Sequence, residues 1–189
     1  VDAACAQGKQ WQDAGVEPLV IAVNVSAQQF TNGSILKCVR AALDRTGFQP
    51  SCLELEFTES GLLSDIQNSL ATIESLRAMG VKMSIDDFGT GYSSLSYLQQ
   101  FKVEKLKIDQ SFVRSISSSA EGMEIVRAII QLGKTLQLQV IAEGVETELH
   151  HRTLLDLECD EAQGYLFSRP VPAPDLLPFL KDWSNKTHT

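Results

Sequence analysis

The chain has 189 residues, of which 43% are hydrophobic and 21% charged, and its formal net charge is -8. That apolar content is enough to bury one sizeable core, while the acidic balance excludes a protein that coats a polyanion such as a nucleic-acid polymer, which needs a basic stripe. An anionic ligand would have to be held by metal ions or by a few local cations, and no run of about 20 apolar residues offers a membrane span.

Residues 1–15 read as the end of a helix with Trp11 on its buried side, and with Val1 as its first residue the chain reads as entering a domain partway. An apolar strand-like run over 19–25 carries Asn24. An amphipathic helical stretch over 34–46 then stops at Gly47. The next strand, 53–57, carries Glu54 and Glu56 and runs into Thr58 and Glu59. A helix over 64–79 follows, with Ile66, Leu70, Ile73 and Leu76 as its stripe and Gly80 as its stop. Strand 81–85 delivers Asp86 and Asp87 into the loop Phe88-Gly89-Thr90-Gly91, and strand 104–108 carries Lys107 and ends at Asp109. Ser117, Ser118 and Ser119 read as a polar loop before a helix over 121–136 with Ile125, Ile129, Leu132 and Leu136 on its apolar side. Strand 138–142 delivers Glu143, with Glu146 after a Gly-Val step. A helix over 147–157 and a strand over 162–167 carrying Gln163 come next. Pro170, Pro172 and Pro174 break the chain before a last helix over 175–183 and a polar tail over 184–189.

Six strands alternating with helices predict an α/β fold with a parallel sheet. An open doubly wound sheet gathers its ligands from a few strands at a switch point, whereas nearly every strand here ends in a polar residue. That is the pattern of the mouth of a (β/α) barrel, six strands being two short of the usual eight. The expectation is one partial barrel domain over 1–189, with exposed sheet edges at 19–25 and 162–166 that weaken the chain and invite edge pairing.

Two adjacent carboxylates at a strand end repel unless a cation or proton lies between them. Asn24, Glu56, Asp86, Asp87 and Glu143 would converge on one mouth, with Lys107 and Gln163 beside them. Hard oxygen donors without histidine select magnesium or manganese over zinc, since His150, His151 and His188 lack ligand spacing. Two such ions about 3.5–4 Å apart form a site for attack on a phosphodiester. Cys5, Cys38, Cys52 and Cys159 form no Cys-x-x-Cys pair and read as reduced core thiols in a cytosolic domain.

In order and spacing, Val23-Asn24-Val25-Ser26, Glu54-Leu55-Glu56-Phe57-Thr58-Glu59-Ser60, the loop from Asp86 to Leu95, Leu106-Lys107-Ile108-Asp109, Ala142-Glu143-Gly144-Val145-Glu146-Thr147 and Gln163-Gly164-Tyr165 resemble the successive signatures of EAL-domain cyclic-di-GMP phosphodiesterases. The resemblance implies a TIM-type barrel with one antiparallel strand that hydrolyses cyclic di-GMP to linear pGpG with two Mg2+ or Mn2+ ions. By that analogy Asn24, Glu56, Asp86, Asp87 and Glu143 are metal ligands, with Gln163 near them through solvent. Lys107 positions or deprotonates the attacking water, and Glu59 holds the loop containing Gly89, Thr90 and Gly91, which relays signals between the partners of a homodimer. Asp109 adjoins the site and Glu146 supports it from behind. The Glu-Ala-Leu motif that names the family is missing, together with the arginine after it and the first two strands. The resemblance therefore implies an impaired fragment of a parent that carries an upstream sensory domain, with or without a membrane anchor. The alternative it leaves is a domain that binds cyclic di-GMP without cutting it.

Overall fold

The computed structural model describes residues 1–31, 33–63, 65–90 and 95–187. Helix α1 (Asp2–Asp13) leads to strand β1 (Ile21–Val25). Helices α2 (Ala27–Thr31) and α3 (Ser34–Thr46) then return the chain, through a 3-10 turn at Pro50–Cys52, to β2 (Leu53–Thr58). Helices α4 (Glu59–Leu63) and α5 (Ile66–Ala78) precede β3 (Lys82–Phe88), and α6 (Leu95–Phe101) precedes β4 (Lys105–Ile108). Helices α7 (Gln110–Ser115) and α8 (Ala120–Leu136) precede β5 (Gln139–Ala142), α9 (Glu148–Asp156) precedes β6 (Glu161–Ala162), and α10 (Ala173–Thr187) follows.

The six strands form one parallel sheet whose spatial order is the chain order, β1 to β6. A doubly wound sheet would reverse direction at a switch point, so the unbroken order is that of an incomplete TIM-type barrel with β1 and β6 at its edges. The antiparallel strand of the resemblance is not among these six. Along each strand the side chains alternate between two faces. Leu53, Leu55 and Phe57, Met83 and Ile85, Leu106 and Ile108, and Val140 and Ala142 are buried on the helix side. There they join one core with Val39, Ile73, Leu76, Phe101, Val113, Val126 and Ile130 of the helices. The intervening positions, Glu54, Glu56, Ser84, Asp86, Lys105 and Lys107, take the opposite, concave face. Strands lie about 4.8 Å apart, and the long side chains of Lys107 on β4 and Glu56 on β2 meet across the intervening β3.

Several local expectations are corrected. Asp86 and Asp87 lie within β3 rather than beyond its end. The strand expected over 162–167 is only Glu161–Ala162. Gln163 still donates its N–H to Ala142 at 2.8 Å, but the chain then folds into a turn in which Phe167 and Ser168 donate to the carbonyl of Gly164 at 3.1 and 3.3 Å. A Cβ on Gly164 would lie 2.2–2.3 Å from the backbone of Val145, an approach that only glycine permits and that periodicity does not register. The buried side of α8 carries Gly122, Val126, Ile129, Ile130 and Gly133, while Ile125 is exposed. Gly133 lets the helix close on Val140, and a hydrophobicity pattern does not see a contact made by an absent side chain. Pro174 sits in the first turn of α10, where a missing N–H is tolerated, and the helix continues through residues expected to form a tail. Ser119 caps α8 by accepting from the Gly122 N–H at 2.9 Å, so the serine loop is a helix start.

Cys5 and Cys52 are buried, but Cys38 is exposed on α3, against the expectation of four core thiols, and all four are free. Burial pushes the Cys159 thiol up to about 11. In the native protein Cys38 is expected to react with a thiol reagent at least about tenfold faster than the other three. Mass spectrometry of partly alkylated protein checks this, and equal labelling of all four would contradict the packing described.

Candidate active site

Four strands bring charge to one point on the concave face. Lys107 of β4 extends its Nζ to 2.7 Å from Glu56 Oε1 on β2, 3.2 Å from Asp86 Oδ1 on β3 and 2.6 Å from Glu143 Oε1 just past β5. Glu56 and Lys107 are 8% and 5% exposed, so both charges are withdrawn from solvent. Burial alone would push the Lys107 ammonium down, but its hydrogen bonds to Glu143 and Glu56 outweigh that and hold its pKa above the ordinary lysine range. Burial raises Glu143, with Lys107 opposing and Asp86 and Glu56 adding repulsion. Three carboxylates against one ammonium leave the cluster with two negative charges in excess.

The other expected residues lie around this centre. Asn24 of β1 is the register partner of Glu56 and is exposed. Asp87 takes a left-handed backbone, φ 53°, and its N–H donates to Asp86 Oδ1 at 3.1 Å. Burial raises its carboxyl pKa, and the charges of Asp86 and Asp109 raise it further. Asp109 caps α7, accepting from the Ser111 N–H at 2.9 Å and from the Ser111 hydroxyl. Glu59 is buried and accepts the Gly89 N–H through Oε2 at 3.4 Å, while its Oε1 has no hydrogen-bond partner among the described residues. Thr90 donates its hydroxyl to the Asp87 carbonyl at 2.8 Å. Gly91 lies outside the described residues.

Gln163 and Glu146 stand on the other side of Glu143, in a cleft of about 220 Å³ that Gln110, Arg114 and Tyr165 also line. Glu146 pairs there with Arg114 at 3.0 Å. Behind it the buried His150 ring accepts the Glu146 N–H through Nδ1 at 3.5 Å and meets the Ser117 hydroxyl through Nε2 at 2.8 Å. Helix α9 starts on Thr147, whose hydroxyl accepts the His150 N–H at 3.2 Å. Replacing Thr147 with alanine is expected to lower stability by about 1 kcal/mol, read as the midpoint of urea unfolding, and an unchanged midpoint would contradict the capping role. Arg114 was not visible as a site residue in the sequence, because only the packing of α7 beside the turn after β5 brings it to Glu146.

The donor set is one of hard carboxylate and amide oxygens with negative charge in excess, which fits Mg2+ or Mn2+. Among the described residues no three acidic, histidine or cysteine side chains are gathered tightly enough to be a ready ion cage. Here the oxygens share the Lys107 ammonium instead.

The family model described as the EAL domain matches residues 1–170. The bifunctional diguanylate cyclase/cyclic di-GMP phosphodiesterase MucR of Pseudomonas aeruginosa is 48% identical over 177 residues, covering 94% of this chain and 26% of MucR. The chain thus spans about a quarter of the length of that relative. A solved structure of PaMucR phosphodiesterase in complex with c-di-GMP superposes with a TM-score of 0.90 at 47% identity, over 93% of this chain and 71% of that one. Klebsiella pneumoniae BlrP1 in a manganese/cy-diGMP complex superposes with a TM-score of 0.78 at 30% identity, over 89% of this chain and 43% of that one.

Proposed function

This chain belongs to the EAL domain family, and on that premise we propose that its concave face hydrolyses cyclic di-GMP to linear pGpG at a site for two Mg2+ or Mn2+ ions. The observation that carries the reading is the convergence of Glu56, Asp86 and Glu143 on Lys107, three acids from separate strands with two negative charges uncompensated. Asn24, Glu56, Asp86, Asp87 and Glu143 would hold the ions, which supply Lewis acidity toward the phosphodiester and make hydroxide available near neutral pH.

The chain's own residues do the rest. Lys107 lies within hydrogen-bond reach of three carboxylates at once and so fixes their relative placement and that of the nucleophile among them. Gln163, in the cleft beside Glu143, orients the ligand through its amide. Glu59 tethers the segment of Gly89 and Thr90 through the Gly89 N–H, and Asp109 pins the start of α7 beside Asp87. Glu146, held by Arg114 and His150, supports the far wall. A homodimer formed through this domain is part of the proposal, and so is an upstream sensory domain; the match to only 26% of the multidomain MucR supports the presence of further domains. Among the described residues no helix is long and apolar enough to cross a membrane.

The test is release of linear pGpG from cyclic di-GMP with Mg2+ or Mn2+. It is measured on this chain and on a form extended upstream of Val1 with the two strands and the Glu-Ala-Leu motif that the resemblance calls for. Turnover by the extended form is expected, with less or none from the shorter one. If the extended form binds the nucleotide and yields no linear product, hydrolysis is wrong and a binding role replaces it.

A further inference from the structure

Beneath the Lys107 cluster the concave face carries a second lysine with its own acids. Glu54, Lys105 and Glu161 each stand two residues before Glu56, Lys107 and Gln163, and side chains two apart on a strand share a face. The Lys105 ammonium lies 3.0 and 3.1 Å from the two Glu161 oxygens on β6 and 3.5 Å from Glu54 Oε2 on β2. Glu54 is 4% exposed. Burial alone would lower the Lys105 pKa, but the hydrogen bond to Glu161 and the charge of Glu54 outweigh it. The interior of a (β/α) barrel is ordinarily filled by branched apolar side chains, so charged side chains here demand another account. The Glu54 end of this network is buried and the Glu161 side chain is 40% exposed, so neither pair adds much net stability, and what the network does geometrically is distinctive. Glu54 and Glu161 sit on strands four apart in the sheet, and one ammonium on the strand midway between them touches both.

We propose that Lys105 is a positioning residue whose ammonium clips β2 to β6 across the concave face and thereby sets how far Gln163 stands from Glu56 at the mouth. The inference rests on the two-ion reading of that mouth. Each end of the clip is two residues before a site residue, so a change in its span is passed along β2 to Glu56 on one side and, on the other, through Ala162 to Gln163, which its N–H ties to the Ala142 carbonyl of β5 at 2.8 Å. Residues that orient ligands from behind typically influence metal affinity by 10–100-fold.

The test compares the wild-type chain with Lys105→Met/Glu54→Gln, which removes the clip without stranding the buried carboxylate, and with Lys105→Arg, which keeps it. Free Mn2+ is followed by electron paramagnetic resonance, and the side-chain amide of Gln163 by nuclear magnetic resonance without metal. With circular dichroism unchanged, the double variant is expected to bind Mn2+ about tenfold more weakly and to show a displaced Gln163 amide signal, and Lys105→Arg to restore both. A folded double variant with wild-type Mn2+ affinity and an unmoved Gln163 signal overturns the clip. If the wild type itself binds no Mn2+, the two-ion reading fails, and displacement or constancy of the Gln163 signal alone decides on the clip. Should the double variant not fold, Lys105→Gln is read by the same two signals.

Discussion

Replacing Glu56 with alanine in the extended protein is expected to lower turnover of cyclic di-GMP by about a thousandfold. Glu56 is nine-tenths buried, stands beside Asn24 in register and is one of three acids that meet at Lys107. On the two-ion proposal, loss of one ligand would remove charge stabilisation worth several kcal/mol at the developing phosphoryl charge, and at 1.36 kcal/mol per tenfold, about 4 kcal/mol corresponds to that factor. Asp86→Ala is expected to behave alike. Glu59→Ala is expected to act mainly through the loop, because its contact is with the Gly89 N–H and not with the cluster. Single-turnover release of linear product at saturating Mn2+ separates these cases. A wild-type rate for Glu56→Ala would remove it from the metal site.

The second large effect concerns stability without metal. Lys107→Met leaves Glu56, Asp86 and Glu143 facing one another with side-chain exposures of 9, 13 and 21% and no counter-charge. Stranding partners of a buried pair in this way costs about 3–5 kcal/mol, a large part of the stability of a typical domain. Equilibrium urea unfolding in the presence of a chelator checks the loss. Addition of Mn2+ is expected to restore part of it, since an ion that binds only the folded state stabilises by about 2.7 kcal/mol at a hundredfold excess over its Kd. An unchanged midpoint in the variant would show that the ammonium does not hold these acids together.

Much of this was legible in the sequence because period-2 alternation is a local signal. Glu54, Glu56 and Lys107 each stand between apolar neighbours and Asp86 follows an apolar run, and the strands that carry them fall in the parallel, sequential order that the alternation with helices predicts. The helix stops at Gly47 and Gly80 were equally legible, and both take positive φ. What escaped was set by contacts distant in sequence. The helix side chosen by α8 depends on Gly133 meeting Val140, and the early end of β6 depends on Gly164 meeting the backbone of Val145. The span of Lys105 from Glu54 to Glu161 depends on β2, β4 and β6 lying in one sheet, which no stretch of sequence states. The pairing of Arg114 with Glu146 likewise needs α7 placed beside the turn after β5, which no stretch of sequence contains.

The most direct test of the central claim is a crystal structure of this protein grown with Mn2+ and examined by anomalous scattering. Two peaks about 3.5–4 Å apart, within bonding distance of Glu56, Asp86 and Glu143 oxygens, are the predicted result. Saturating Mn2+ with no peak on the concave face, and Lys107 still hydrogen-bonded to all three carboxylates, would contradict it.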